Sequence, residues 1–156
     1  MTRRYAYSLG GSRAVDSAPL SKPKNTTILS SIQLDGTLRY MTFSGGTTVE
    51  RFKRYLETDL LPHLNGNSVL IMDNMKSHHA KAVKNLLDSS RIRYIYLPPY
   101  SPDLNPIEKL WSKVKAFLRK FKARTLDALP NAIQNAFHSV TVSDCSGWFR
   151  FCGYAL

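Results

Sequence analysis

The sequence predicts an α/β fold, with a mixed sheet that is antiparallel at its start, parallel afterwards and flanked by helices. Three observations carry this. Two β-favouring runs between residues 26 and 46 are separated by Asp35-Gly36, a strong short hairpin signal. Two short runs, "NSVLIMDN" and "IRYIYL", read as strands, and a helical pattern follows each. The other apolar residues recur at helical spacing.

Residues 1–25 are rich in Arg, Gly, Ser, Lys and Pro and read as loop or edge structure. After the hairpin, "TTVERFKRYLETDLLPHL" places Thr47 and Glu50 at capping-box spacing and Val49, Phe52, Leu56 and Leu60 on one helical stripe. The run ending at Asn74 is continuously apolar before Asp73, which predicts a buried parallel strand. Residues 79–89 form a helix with Val83, Leu86 and Leu87 inward, and residues 92–97 a further strand. A helix from Pro106 to about Lys120 carries Ile107, Leu110, Trp111, Val114, Phe117 and Leu118 on one face. The next begins near Thr125 and turns Leu129, Ile133 and Phe137 inward; an amphipathic tail with Trp148, Phe149 and Phe151 closes the chain. There is no internal repeat or low-complexity linker, and 156 residues suit one domain, 1–156.

Composition narrows the partners. No stretch approaches the roughly 20 apolar residues of a membrane span, and no apolar run follows Arg3 and Arg4 as a secretory leader would need. Lys and Arg total 22 against 11 acids, a net charge of +11, which suits nucleic acid. The excess is concentrated, since residues 109–124 hold seven basic residues and no acidic one. The cysteines, Cys145 and Cys152, are too few for a structural zinc site and read as buried thiols in a reducing cytoplasm.

Chemistry is expected at two carboxylates. Asp73 ends an apolar strand, the place where open α/β sheets bind ligands. A carboxylate there is costly unless it is paired, caps a turn or meets a cation. Four of the chain's eight prolines, Pro98, Pro99, Pro102 and Pro106, cluster just before Glu108. Asn105-Pro106-Ile107-Glu108 also fits N-cap to N3 of a helix, so capping alone accounts for the glutamate equally well. Separated by 34 residues, each acid stands where a strand gives way to a helix. Adjacent parallel strands would bring them to one sheet edge, where paired carboxylates can hold a divalent ion. Lys109, Ser112, Lys113, Lys115, Arg119 and Lys120 lie on or beside the helical face of Glu108 and would track a nucleic-acid backbone, or simply be a solvated face. His78 and His79 read as cap or surface residues, or as neighbours of the site.

"LIMDNMKSHH" followed by "YLPPYSPDLNPIEKLWSKVK" resembles the DDE transposases, specifically the bacterial insertion-sequence relatives of the mariner elements; "MTRRYAYSLGGSR" is similar to the segment beyond their first catalytic strand. The resemblance implies a ribonuclease-H-like fold, three acids binding Mg²⁺ or Mn²⁺, and cleavage and strand transfer of DNA at transposon ends and target. Asp73 matches the second acid and Glu108 the third; Asn74 and His78 match companions of the second, and Tyr100, Ser101, Pro102, Asn105 and Pro106 match the loop that shapes the site. The strand bearing the first aspartate is expected to be absent. Asp16 lies outside any strand pattern, and Asp35 is explained by its turn. The chain is therefore expected to be a truncated catalytic domain, inactive alone, in a bacterial cytoplasm near the nucleoid. A homodimer or a complementing upstream transposase fragment would be its protein partners. The alternative is a non-catalytic DNA-binding remnant that uses the basic helix 106–124.

Overall fold

Asp35 and Gly36 turn the chain, but more widely than a two-residue hairpin. A computed structural model of the chain describes residues 7–8, 10–15, 25–121 and 128–154. Strand β1 (Thr26–Ile32) pairs antiparallel with β2 (Leu38–Ser44), from Thr26 opposite Ser44 to Ile32 opposite Leu38. Residues 33–37 connect them. Asp35 Oδ1 accepts the Thr37 N–H at 2.8 Å, an Asx turn that lengthens the loop. Gly36 has φ +87°, and a Cβ there would lie 2.9 Å from Val142 Cγ2, so both backbone and packing require glycine.

Helix α1 (Val49–Tyr55) starts one residue later than the sequence suggests. Thr48, not Thr47, accepts the Arg51 N–H at 3.3 Å. Burial of Phe52, Tyr55 and Leu56 sets the helical phase, and the cap follows from it. The helix widens into a π turn, Leu56–Leu60, then a 3₁₀ turn, Leu61–His63. Pro62 supplies no N–H and its ring opposes the i−4 carbonyl, which ends the regular α ladder. Tyr55 ties this helix to the hairpin by donating to Ser31 Oγ (2.9 Å) or to the Arg39 carbonyl (3.1 Å). Burial pushes its phenol up to about 12.

Strand β3 (Val69–Met72) runs parallel to β4 (Arg93–Tyr96), with α2 (Lys81–Ser90) as the crossover. Leu70, Tyr94 and Tyr96 pack against a core of Leu29, Phe52, Tyr55, Leu56, Leu60, Met72, Val83 and Leu87. The opposite face is open: Val69 is 44% and Ile95 50% exposed. The strand read as buried on both sides is thus covered on one. Antiparallel and parallel pairing both occur as expected, but as two two-stranded sheets, with no ladder joining them among the described residues.

After the 3₁₀ turn Pro102–Leu104 come α3 (Pro106–Phe121), α4 (Ala128–His138) and α5 (Val142–Phe151). The expected helix start near Thr125 and Asp16 both lie outside the described residues. The chain divides into two compact units, residues 24–109 with 141–156, and residues 1–23 with 110–140. In the latter, Leu110, Val114, Leu118, Ile133 and Phe137 are buried, and Trp111 meets Phe137 edge-on at 6.3 Å. In the former, Thr141 and Asp144 form a reciprocal capping box that starts α5. Both cysteines are buried. No helix among the described residues is long and apolar enough to cross a membrane.

Candidate metal and nucleic-acid site

Because β3 and β4 are parallel and in register, they end at the same sheet edge. Met72 lies opposite Tyr96, and the Leu97 N–H donates to the Met72 carbonyl at 2.8 Å. Asp73 follows one strand and the proline loop follows the other. A cleft of about 410 Å³ forms there, lined by Asp73, Asn74, Met75, Leu97, Pro98, Pro99, Tyr100, Ser101, Pro102, Asn105 and Glu108. Seven of the residues matched to the family site thus share one cleft: both acids, Asn74, Tyr100, Ser101, Pro102 and Asn105.

Asp73 is held from behind. His78 Nδ1 donates to its Oδ1 at 2.9 Å and the Met75 N–H donates to the same oxygen at 3.0 Å. The bond from His78 holds the carboxyl below the usual aspartate range, against the opposing effect of partial burial, with the Met75 N–H adding to the bond's effect. Both bonds fall on Oδ1, and the side chain remains 49% exposed. The carboxylate is therefore ionised and accessible, and Oδ2 is left for a cation. His78 is itself buried, its ring 4.1 Å from that of Phe52. Tyr96 donates to the His78 carbonyl at 2.9 Å and stacks on His79 at 4.1 Å, and His79 bonds Asn74 Oδ1. The two histidines thus back the aspartate motif, with strand β4 beneath them.

Glu108 stands in the first turn of α3, exposed. The helix is capped without it. Asn105 Oδ1 accepts the Ile107 N–H at 3.4 Å, and the Asn105 N–H goes to the Pro102 carbonyl at 3.2 Å, not to a carboxylate. Pro106 is buried at the helix start. Tyr100 is fully exposed and has φ +58°, the left-handed region, which is unfavourable for a residue bearing a Cβ.

Every polar side chain lining the cleft offers an oxygen, and carboxylates with amide oxygens are the donors that Mg²⁺ and Mn²⁺ take. Asp73 and Glu108 both line this cleft and are donors of that class. Among the described residues no group of three or more His, Cys, Asp or Glu is gathered to hold a metal.

The basic residues are distributed differently. Lys109 places its ammonium 3.7 Å from the centre of the Phe151 ring, a cation–π contact. Ser112, Lys115, Arg119 and Lys120 are exposed on α3 and Lys113 is partly buried; these five fall in the other compact unit. Met75 lines the cleft without having been anticipated, since nothing in its neighbours distinguishes it from a surface methionine.

Residues 1–130 match the family model described as DDE superfamily endonuclease. The Caenorhabditis elegans transposable element Tc1 transposase is 28% identical over 97 residues, 60% of this chain and 36% of that protein. Two solved structures share the fold: the Mos1 mariner paired end complex with Mn (TM-score 0.78, 20% identity, 96% of this chain and 47% of that one) and the catalytic domain of Mos1 mariner transposase (TM-score 0.72, 19% identity, 83% and 70%). The fold is therefore the ribonuclease-H-like one expected. The chain spans about a third of the length of the curated relatives it matches.

Proposed function

The chain belongs to the DDE superfamily endonucleases, and from that membership we propose that residues 1–156 act as the catalytic part of a transposase that cuts and rejoins DNA. The observation that carries this reading is the meeting of Asp73 and Glu108 at one cleft. They would hold Mg²⁺ or Mn²⁺, the ion bound in one structural neighbour being Mn. Such an ion, when bound, supplies activation of an attacking oxygen and stabilisation of a leaving one.

The chain's own residues divide the remaining tasks. His78 and the Met75 amide fix one oxygen of Asp73, so that its carboxylate is presented in one orientation. Asn105 caps α3 and frees Glu108 from that duty. Pro98, Pro99, Pro102 and Pro106 restrict the loop between them, which limits the entropy lost when DNA arrives. Ser112, Lys113, Lys115, Arg119 and Lys120 are the residues suited to phosphate contact. The partner is DNA, as transposon ends and target.

The third carboxylate of the family would come from a strand outside the described residues, or from a complementing fragment. A strand that paired with both two-stranded sheets would join them into one. The test is reconstitution: the chain plus an upstream segment bearing an aspartate on a strand should nick DNA in Mg²⁺ or Mn²⁺, and Asp73→Asn or Glu108→Gln should abolish it. A reconstituted protein that binds DNA but never nicks it would overturn the catalytic reading. The basic, acid-free run 109–124 favours a second reading, a DNA-binding remnant without chemistry. It requires salt-dependent binding that Asp73→Asn leaves intact.

A further inference from the structure

We infer that the C-terminal segment, residues 141–154, is a clamp that sets the position of Glu108, with Tyr154 as its positioning residue. The inference rests on the reading of Asp73 and Glu108 as the metal-binding pair. The segment lies beyond residues 1–130, which match the family model, so family membership assigns it nothing.

The contacts form a strut with two ends. At one end Val142 sits against Gly36 in the hairpin loop, closely enough that only glycine fits. At the other end α5 finishes and Gly153, at φ +85°, turns the chain. Tyr154 then donates its hydroxyl to the carbonyl of Leu104 at 2.9 Å, across 50 positions of sequence. Its ring lies edge-on to Phe149 at 5.6 Å, which fixes the direction of that hydroxyl. Burial raises the phenol's pKa, so the hydroxyl keeps its proton and stays a donor. Lys109, the residue after Glu108, rests its ammonium on Phe151. Leu104 ends the 3₁₀ turn just before the Asn105 cap. The clamp therefore grips the chain four residues before Glu108 and one residue after it.

The loop needs such support. Pro98, Pro99, Tyr100, Pro102, Asp103 and Leu104 are exposed. The bonds within the loop are long: Leu104 N–H to the Ser101 carbonyl at 3.2 Å, and Ser101 Oγ to the Pro99 carbonyl at 3.4 Å. Prolines restrict local torsions but do not dock the loop on the rest of the unit. The Tyr154 contact does, and the Lys109 contact holds the first turn of α3 that follows the loop.

The experiment compares the 156-residue chain with Tyr154→Phe, which keeps the ring and removes the hydroxyl. Amide hydrogen exchange, without metal, is read at Leu104, Asn105 and Glu108 and across β1–β4. Calorimetric titration with Mn²⁺ follows. The expected result is roughly two- to tenfold faster exchange confined to residues 102–108, the range that one ordinary hydrogen bond confers on a local opening. Weaker Mn²⁺ binding should accompany it, with the thermal transition nearly unmoved. Unchanged exchange at residues 102–108 overturns the clamp. So does a uniform rise that includes the strands, which would mark a merely structural role, and so does faster local exchange with unaltered Mn²⁺ affinity. If Tyr154→Phe fails to fold, Phe151→Leu at an exposed position is read in the same way at Glu108 and Lys109. Asp73→Asn separates the two levels: unchanged Mn²⁺ binding in that variant defeats the metal-pair reading and leaves the clamp to be judged by metal-free exchange, whereas weakened binding there makes the Mn²⁺ affinity of Tyr154→Phe a valid test of the clamp.

Discussion

Replacing His78 by phenylalanine would test whether this histidine orients the Asp73 carboxylate, and with it the proposed cation site. The substitution keeps a ring against Phe52 and removes the Nδ1 donor 2.9 Å from Asp73 Oδ1. A hydrogen bond to a charged group contributes about 1.5–3 kcal/mol. Asp73 is 49% exposed, so water replaces part of that bond, and about 1 kcal/mol is a reasonable net loss for a pair screened in this way. In a chain of this size that lowers the melting temperature by about 2–4 °C. The effect on metal should be larger, because the freed carboxylate must be ordered again by the ion. Loss of an outer-shell partner lowers metal affinity about 10–100-fold. Calorimetric titration of the chain with Mn²⁺ at neutral pH, with Asp73→Asn as the floor, measures this. If the His78→Phe variant bound Mn²⁺ as tightly as the parent chain, the claim that this histidine orients the carboxylate would be wrong.

Three further outcomes follow from other residues. Tyr100→Gly should raise the melting temperature slightly, because relief of a left-handed backbone, about 1–2 kcal/mol, exceeds the added unfolded-state entropy of glycine, about 0.5–1 kcal/mol, and the exposed ring packs on nothing; a lower melting temperature would contradict the strain argument. Asp73 has a folded pKa below its unfolded value, so its stabilisation is present above the ordinary aspartate range, about 3.9, and is lost as pH falls through the folded value. Asp73→Asn should therefore flatten the acid limb of a stability-versus-pH curve, and an unchanged limb would refute it. Tyr55 has a folded pKa raised to about 12, so its contribution is intact below its ordinary value of 10 and fades as pH climbs toward 12. Tyr55→Phe should remove that alkaline decline in chemical denaturation, at a cost at neutral pH of about 1–3 kcal/mol for the unpartnered Ser31 and Arg39 groups.

The parts of the site that the sequence disclosed are those written in local rules. An apolar run ending in Asp73, and Pro106 entering a helix before Glu108, follow from residue type and spacing. That the strands are parallel follows from the helix between them, and parallel register brings both acids to one edge. Other features depend on distant partners. Thr47 and Thr48 are chemically equivalent caps, and the burial of Phe52 and Tyr55 chooses between them. The orienting bond from His78 needs the ring of Phe52 beside it, which no spacing rule places there. Tyr154 reaches Leu104 across 50 positions, and a single aromatic near a chain end carries no periodic signal. The division of the strands into two pairs was hidden for the same reason, since each pair satisfies its own local pattern.

The bare side of the parallel pair bears on how the isolated polypeptide would behave in a tube. Valine and isoleucine at positions 69 and 95 present wettable hydrocarbon beside backbone that a foreign strand could zip onto. Such a surface favours self-adhesion in concentrated solution. Light scattering would register it as clumping that grows with kosmotropic salt, which strengthens apolar contact, and that subsides when charge is introduced at either position.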